Sequence, residues 1–209
     1  MNRMRALLSV LVFVAGLVVF PAVALPTQSQ ADTCGRTYTF GVGGLFIGPG
    51  GTGTDSGAFQ TVNQRIGYNT FDPVSGIREL DRLVQHHRSQ CPRDHIKIIG
   101  HSEGAAIVHV WVTEHQNFGN ANAVLLADPK RVAGPGGPGL SSQGGFLGYP
   151  LAGVDDWFGH FPVLTVCYHD DWVCDVNAGP VGYAVRSAHS NYQFDVNAYS
   201  DWGSGVLYR

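Results

Sequence analysis

The sequence predicts an α/β domain with a mainly parallel central sheet. Two observations support this: short apolar runs of strand length alternate with segments of helical spacing, and polar residues follow the ends of those runs. Alternation of this kind is typical of βαβ units. The carboxyl ends of parallel strands meet at one edge of a sheet, where ligands gather. We therefore expect a functional site at the ends of the apolar runs.

The chain begins with the layout of a secretory signal. Arg3 and Arg5 precede the uncharged, largely apolar run Ala6–Phe20, and small and helix-breaking residues follow it. This arrangement predicts cleavage after Ala24, or after Ala31 if a second small-residue site is used. A membrane anchor is the alternative, but the run is shorter than the roughly 20 residues that a span needs. We therefore expect a secreted protein, extracellular or in the cell envelope.

The rest of the chain is predicted to form one domain. Residues 1–31 are assigned to the signal peptide with a short mature N-terminal segment, and residues 32–209 to the domain. About 180 residues enclose one sizeable core and are not clearly enough for two. The formal net charge of −3 argues against a surface that binds nucleic acid or anionic membranes. We expect a monomer with no nucleic-acid partner and no membrane span after cleavage.

The predicted elements follow one another in a regular order. RTYTFGVGG is a strand that ends in a glycine loop, and PVSGIRELDRLVQHHRSQCP is a helix with its apolar residues on one face. HIKIIG is a short buried strand, and GAAIVHVWVTEHQNF is the helix that follows it. AVLLADP and PVLTVCYHD are two further strands, each ending in aspartate. The polar residues at the predicted strand ends are Ser102, Asp128, Asp170 and Asp171.

Four cysteines remain after either cleavage: Cys34, Cys91, Cys167 and Cys174. An exported protein is free to oxidise them, so two disulfides are the default expectation. Three pairings are possible. Cys167 and Cys174 can close a small local loop, which leaves Cys34 to join Cys91. A zinc site is the alternative, but neither pair has the short Cys-x₂₋₄-Cys spacing of zinc ligands. We expect no metal ion.

Ser102 lies in GHSEG, which matches the motif G-x-S-x-G. The motif falls between a predicted strand and a predicted helix, as a nucleophile elbow requires. Gly100 and Gly104 lack side chains that would clash in such a turn, which leaves the Ser102 hydroxyl exposed above the sheet. The backbone N–H of Glu103 is then placed to donate to an oxyanion at the helix start. The alternative is a serine that only caps the helix.

A serine nucleophile needs a base and an acid, which elbow hydrolases supply in the order Ser, Asp, His. Asp171 lies inside the predicted local disulfide loop just past a strand end, and His189 follows in a polar stretch. His169 is a rival base, but it precedes the acid and lies close to it in sequence. Asp170 and Asp175 stay open as alternative acids.

These motifs resemble those of the cutinase-like serine esterases, including the related hydrolase domains of mycobacterial PE-PPE proteins. The resemblance rests on GHSEGA, on DWVC with its disulfide and on HSNYQ, and it extends from about Thr37 to the C-terminus. It implies a compact α/β-hydrolase fold, a three-layer sandwich with little or no lid. It also implies Ser102 as nucleophile, Asp171 as acid, His189 as base, and no cofactor.

Two features depart from the family's pattern. Glu103 stands where the family usually has glutamine, and an extra carboxylate near the oxyanion is expected to slow catalysis. The glycine loop GVGGLFIGPGG does not align cleanly with the family's first loop. The second oxyanion donor is therefore predicted to be the backbone N–H of Gly44 or Leu45.

The sequence thus predicts a secreted serine ester hydrolase, a carboxylesterase or lipase that acts on apolar acyl substrates through an acyl-enzyme. The candidate residues for binding the acyl chain, which are alternatively ordinary core, are Phe146, Leu147, Trp157 and Tyr183. One alternative function is acyl transfer to a cell-envelope lipid or sugar with the same triad. Another is a non-catalytic secreted binding protein that retains the fold. Metal-dependent hydrolysis is disfavoured because no His-Glu-x-x-His motif is present.

Overall fold

The computed structural model describes residues 34–45, 59–144, 148–185 and 188–209. These residues contain a six-stranded sheet in which every pairing is parallel, in the order β2-β1-β3-β4-β5-β6. The strands are β1 (Thr37–Val42), β2 (Gln64–Ile66), β3 (His95–His101), β4 (Ala121–Leu126), β5 (Val163–Cys167) and β6 (Gly205–Tyr208). The α-helices are α1 (Pro73–Gln90), α2 (Glu103–Glu114) and α3 (Gly179–Val185). The prediction of an α/β domain with a mainly parallel sheet is confirmed.

The central strand β3 explains why its sequence is continuously apolar. It pairs with β1 on one side and β4 on the other, and both of its faces are covered. Ile98 packs into the larger core with α1 and α2, whereas its neighbour Ile99 packs into a second core on the opposite face. Tyr192 and Val196 from the C-terminal segment cover that second core. Successive side chains of a strand alternate between faces, so one strand joins the layers.

The two long helices have different sequence patterns because they differ in burial. Helix α1 begins at Pro73, where the Asp72 carboxylate accepts the Ser75 N–H, and it buries Ile77, Leu80 and Val84 on one face. Proline at the first helical position and an aspartate cap are typical start signals. Helix α2 is buried along most of its length, so its apolar residues are not confined to a stripe.

Both predicted disulfides are present. Cys34–Cys91 joins the residues before β1 to the end of α1, and Cys167–Cys174 closes the loop that follows β5. The first bridge links segments far apart in the chain, and the second fixes a local loop. That local loop carries Asp171.

The predicted signal segment and its cleavage sites lie outside the described residues. Within the described ranges, none of the helices combines the length and the apolar character that a bilayer crossing demands.

Candidate active site

The chain passes from β3 into α2 through a strained turn at Ser102. Ser102 has φ 60° and ψ −126°, a conformation that side-chain-bearing residues rarely adopt. Its side chain makes no capping hydrogen bond to α2, so the helix-cap alternative is wrong. A Cβ on Gly104 would overlap the Val42 carbonyl, and one on Gly100 would lie 2.6 Å from the Gly104 oxygen. Glycine is therefore required on both sides of Ser102, as the elbow prediction requires.

Ser102, His189 and Asp171 lie in one hydrogen-bonded row. His189 Nε2 is 2.9 Å from Ser102 Oγ, and His189 Nδ1 is 3.0 Å from Asp171 Oδ2. The Asp171 side chain is fully buried and also accepts hydrogen bonds from the Tyr192 hydroxyl at 2.8 Å and the Val173 N–H at 3.0 Å. With Nδ1–H donating to Asp171, Nε2 is free to accept the serine proton. The structure thus brings together the three residues proposed from the sequence.

The acid and the histidine each lie in a short, locally constrained segment. Asp171 lies in the loop closed by Cys167–Cys174, and His189 lies in the 3₁₀ turn Ala188–Ser190. His101, within the GHSEG motif, donates from Nε2 to the His189 carbonyl at 2.9 Å. Burial lowers the pKa of His101 to about 3, and the charge of His189 acts in the same direction. His101 therefore stays neutral near pH 7 and serves as a fixed donor to the turn.

The rival acid and base candidates point elsewhere. The His169 side chain is mostly exposed, and its ring nitrogens lie 2.8 Å from the Arg209 carbonyl and 3.4 Å from Asp170. Asp175 is buried and accepts hydrogen bonds from the Gly137 N–H at 2.8 Å and the Tyr208 hydroxyl at 2.6 Å. It is therefore tied to a neighbouring loop and to β6 rather than to Ser102.

Two backbone segments border the Ser102 hydroxyl where an oxyanion would form. Glu103 is the first residue of α2, where backbone N–H groups have no acceptor within the helix. Gly44 lies directly against the serine, since a Cβ built on it would be 2.9 Å from Ser102 Cβ and 3.4 Å from Oγ. Both predicted donor residues thus adjoin Ser102. The glycine-rich segment at 46–58 lies outside the described residues.

The Glu103 side chain is buried beside a tyrosine that sequence reasoning missed. Glu103 Oε2 lies 2.9 Å from the Tyr68 hydroxyl, which also donates to the Gly43 carbonyl at 2.9 Å. Burial raises the pKa of Glu103 from 4.5 to about 7, although the hydrogen bond with Tyr68 works in the opposite direction. Burial and the Glu103 charge also raise the pKa of Tyr68. No local motif links residues 35 positions apart, which is why the sequence did not reveal this pair.

A mostly apolar cavity of about 150 Å³ opens at Ser102. It is lined by Leu45, Ser102, Glu103, Pro129, Leu140, Trp172, Val173 and Tyr183. Of the four predicted substrate-binding residues, Tyr183 lines this cavity, with its ring 4.9 Å from that of His189. Phe146 and Leu147 lie outside the described residues.

The prediction that Trp157 lines the site needs correction. Trp157 is 72% exposed and is absent from the lining of the Ser102 cavity, whereas its neighbours Asp156 and Phe158 line a separate cavity beside His109. The physical cause is an ion-pair cluster. Asp155 lies 3.0 Å from His109 Nε2 and 3.2 Å from Lys130 Nζ, which holds this segment against α2.

Asp128, a predicted strand-end residue, belongs to the same cluster. It is buried and lies 2.7 Å from His109 Nδ1, opposite Asp155. Burial alone would lower the pKa of His109, but the charges and hydrogen bonds of the two aspartates outweigh it and raise this pKa to about 9. His109 is therefore an imidazolium held by two carboxylates. This arrangement joins α2 to the segments after β4 and before β5.

The parallel sheet and the elbow at Ser102 define an α/β-hydrolase-like protein. The model of the Cutinase family matches residues 52–202, so the chain belongs to the cutinase family. The resemblance found in the sequence motifs is thereby confirmed at the level of the family.

Comparison with solved structures finds two similar chains, of which the acetylxylan esterase supports the same fold. A cutinase-like protein from Cryptococcus sp. is 20% identical with a TM-score of 0.49, and the match covers 82% of this chain and 98% of that one. An acetylxylan esterase is 16% identical with a TM-score of 0.50, and the match covers 79% of this chain and 95% of that one. No curated protein matches the sequence.

Membership of the cutinase family supports an ester hydrolase with an ester substrate. The two disulfides fit an extracellular protein, because such bonds persist in oxidising compartments.

Proposed function

We propose that this protein is a secreted serine ester hydrolase that cleaves esters of small apolar acyl groups. The observation that carries the proposal is the row in which His189 Nε2 lies 2.9 Å from Ser102 Oγ and His189 Nδ1 lies 3.0 Å from a buried Asp171 carboxylate. In this row a hydroxyl, a base and a buried anion stand in the order that nucleophilic catalysis uses.

The proposed reaction begins when Ser102 Oγ attacks the ester carbonyl and His189 Nε2 takes its proton. Asp171 stabilises the imidazolium that forms, and its own position is fixed by Tyr192 and the adjoining backbone. Backbone N–H groups of Glu103 and Gly44 donate to the developing oxyanion.

The tetrahedral intermediate then collapses, and the bond to the alcohol breaks. His189 returns the proton to the departing alkoxide, which leaves an acyl group on Ser102 Oγ. Water, deprotonated by the same histidine, then attacks the acyl carbon. The bond from this carbon to Ser102 Oγ breaks, His189 returns the proton to Ser102 Oγ, and the acid is released. No cofactor or metal ion is needed for any of these steps.

The cavity supports a small, apolar acyl group. Its volume of about 150 Å³ is modest, and Leu140, Val173 and Tyr183 present apolar surface to it. Apolar walls with a few placed polar groups are typical of sites for uncharged ligands. We therefore expect acetyl and butyryl esters to be better substrates than long-chain esters.

Hydrolysis of p-nitrophenyl acetate and butyrate by the mature protein and by Ser102→Ala tests this proposal. We expect the variant to lose about 10³-fold or more in kcat/KM while keeping its fold. Ser89→Ala, on the exposed face of α1, is the matched control and should stay active. Full activity in a folded Ser102→Ala protein would refute the serine mechanism. Transfer of the acyl group to an added alcohol in preference to water would replace hydrolysis with acyl transfer.

A further inference from the structure

We propose that Glu103 and Tyr68 form a hydrogen-bond relay that positions the Gly43–Gly44 peptide beside Ser102. Glu103 and Tyr68 act here as positioning residues through their side chains, separately from the backbone N–H of Glu103. The inference rests on the proposed function, because it concerns the peptide assigned to the second oxyanion donor.

The relay follows from counting hydrogens around the Tyr68 hydroxyl. This oxygen carries one hydrogen, yet it lies 2.9 Å from the Gly43 carbonyl, 3.3 Å from the Gly44 carbonyl and 2.9 Å from Glu103 Oε2. If Glu103 is ionised, the carboxylate and the Gly43 carbonyl compete for the same hydrogen. If Glu103 is protonated, its O–H donates to Tyr68 and the Tyr68 O–H donates to Gly43. The protonated form therefore gives both Glu103 and the Gly43 carbonyl a hydrogen-bond partner, without competition for one hydrogen.

The Gly43 carbonyl matters because it belongs to the same peptide unit as the Gly44 N–H. A trans peptide is planar, and its C=O and N–H point in opposite directions. Anchoring the Gly43 carbonyl to Tyr68 therefore directs the Gly44 N–H to the opposite side. Gly44 adjoins Ser102 at a distance that leaves no room for a Cβ. A rotation of this peptide would turn the proposed donor away from the oxyanion.

Packing holds Tyr68 in place. When ionised Glu103 competes for the Tyr68 hydrogen, the group that can move is therefore the Gly43–Gly44 peptide. Tyr68 is 2% exposed, and its ring packs against Gly76 of α1, where an added Cβ would lie 3.0 Å from Tyr68 Cγ and 2.8 Å from Ile107 Cδ1. A Cβ added to Gly104 of α2 would overlap the Gly43 carbonyl oxygen, so the backbone of α2 lies close to this oxygen. The Gly43 carbonyl is thus close both to α2 and to the tyrosine hydroxyl.

Few other titratable groups face Glu103 among the described residues. Tyr68 approaches it from the segment after β2, and Tyr183 of α3 lines the same cavity. The His189–Asp171 pair lies beyond Ser102. Burial is the main cause of the raised pKa of Glu103, which at about 7 makes both protonation states accessible near neutral pH.

The relay predicts a distinctive pH profile of kcat/KM. Activity should fall as pH rises through about 7, because Glu103 then ionises and its carboxylate competes for the Tyr68 hydrogen. Glu103→Gln replaces the carboxyl O–H by an amide N–H that donates to Tyr68 at every pH. Its profile should therefore lack the alkaline fall.

Profiles of kcat and KM for p-nitrophenyl acetate between pH 5.5 and 9 test the relay in the wild type, Glu103→Gln and Tyr68→Phe. In the wild type we expect kcat to fall about threefold or more above neutral pH with KM little changed, the scale of one hydrogen bond. Tyr68→Phe should be slower at every pH and should lack the fall. Glu79→Gln, the same substitution at a carboxylate paired with Arg82 on the surface of α1, should keep the wild-type profile.

Two kinetic outcomes would overturn the proposal. An alkaline fall that persists in Tyr68→Phe would mean that the Glu103 charge acts on the oxyanion directly, without the tyrosine. A fall that persists in Glu103→Gln would assign the titration to another group. If Tyr68→Phe does not fold, the Glu103→Gln profile and the spectroscopic measurement below still decide.

The pH dependence of the Gly44 amide resonance in ¹⁵N–¹H spectra separates the relay from the proposed reaction. We expect the chemical shift of this resonance to change with pH near neutrality in the wild type. In Glu103→Gln the chemical shift should stay constant over the same pH range. A Gly44 resonance without this titration in the wild type would overturn the relay. A titrating resonance in a protein that has no esterase activity would support the relay and refute the proposed function.

Discussion

The Asp171 carboxylate is fully buried and lies 3.0 Å from His189 Nδ1. Asp171 belongs to a loop that is closed by the disulfide Cys167–Cys174, whose cysteines are seven positions apart. Buried carboxylates persist where hydrogen bonds compensate for lost water. Asp171 has such partners in His189, Tyr192 and the Val173 N–H. The disulfide and the hydrogen bonds together fix the orientation of His189 toward Ser102.

Replacing Asp171 by asparagine should lower kcat of ester hydrolysis by about 10²- to 10⁴-fold with a smaller change in KM. An amide can present an N–H to His189 and favour the wrong tautomer, which leaves no acceptor for the Ser102 proton. Steady-state kinetics on p-nitrophenyl butyrate checks this. Asp170→Asn, one position earlier, is the matched control, and equal losses in the two variants would contradict the assignment of the acid.

The disulfide whose removal costs more activity should be the one whose removal costs less stability. In the chain-entropy model Cys167–Cys174 contributes about 2.5 kcal/mol and Cys34–Cys91 about 4 kcal/mol to stability. Cys167→Ser/Cys174→Ser frees the loop that carries Asp171, so it should lose more kcat than Cys34→Ser/Cys91→Ser, which should lose more thermal stability. Unfolding curves and rates at a temperature where both variants are folded test this. The prediction would be contradicted if each variant lost activity only to the extent that it unfolded.

Glu103→Gln should stabilise the protein increasingly as pH rises. Because the folded pKa of Glu103 is about 7, above its ordinary value of 4.5, the stability it contributes is present in full below pH 4.5 and is lost as pH rises through 7. At about 1.4 kcal/mol per pKa unit, the ionised carboxylate costs a few kcal/mol in the alkaline range. The difference in Tm between Glu103→Gln and the wild type should therefore widen from pH 4.5 to 8. A constant difference would show that Glu103 titrates normally in the folded protein.

Enlarging the cavity should shift the preference for acyl length. Val173→Ala removes two methyl groups from the wall next to Ser102, so the ratio of kcat/KM for hexanoate to that for acetate should rise severalfold. Val181→Ala is the matched control because Val181 is 60% exposed on α3 and is absent from the lining. An unchanged ratio in Val173→Ala would place the acyl group outside this cavity.

The site could be predicted where its determinants are local. The elbow is encoded by two glycines around Ser102, and the acid is marked by two cysteines seven positions apart. The position of Trp157 could not be predicted, because the ion pairs of Asp155 with His109 and Lys130 join distant parts of the chain.

The fold was predicted where burial leaves a periodic pattern. The central strands and the helices α1 and α2 carry such patterns. The edge strands β2 and β6 have only three and four residues, and most of them are partly exposed, so no apolar run marks them. The Tyr68–Glu103 contact was missed for a related reason: a side-chain hydrogen bond between distant residues has no sequence period.

The nucleophile is tested most directly by mass spectrometry of the protein after reaction with a fluorophosphonate. Such reagents phosphonylate an activated serine, and peptide mapping identifies the residue. We predict a single adduct on Ser102 in the wild type, much slower labelling in His189→Ala and labelling at the wild-type rate in His169→Ala. An unlabelled Ser102 in folded wild-type protein, or a main adduct on another residue, would contradict the proposed function.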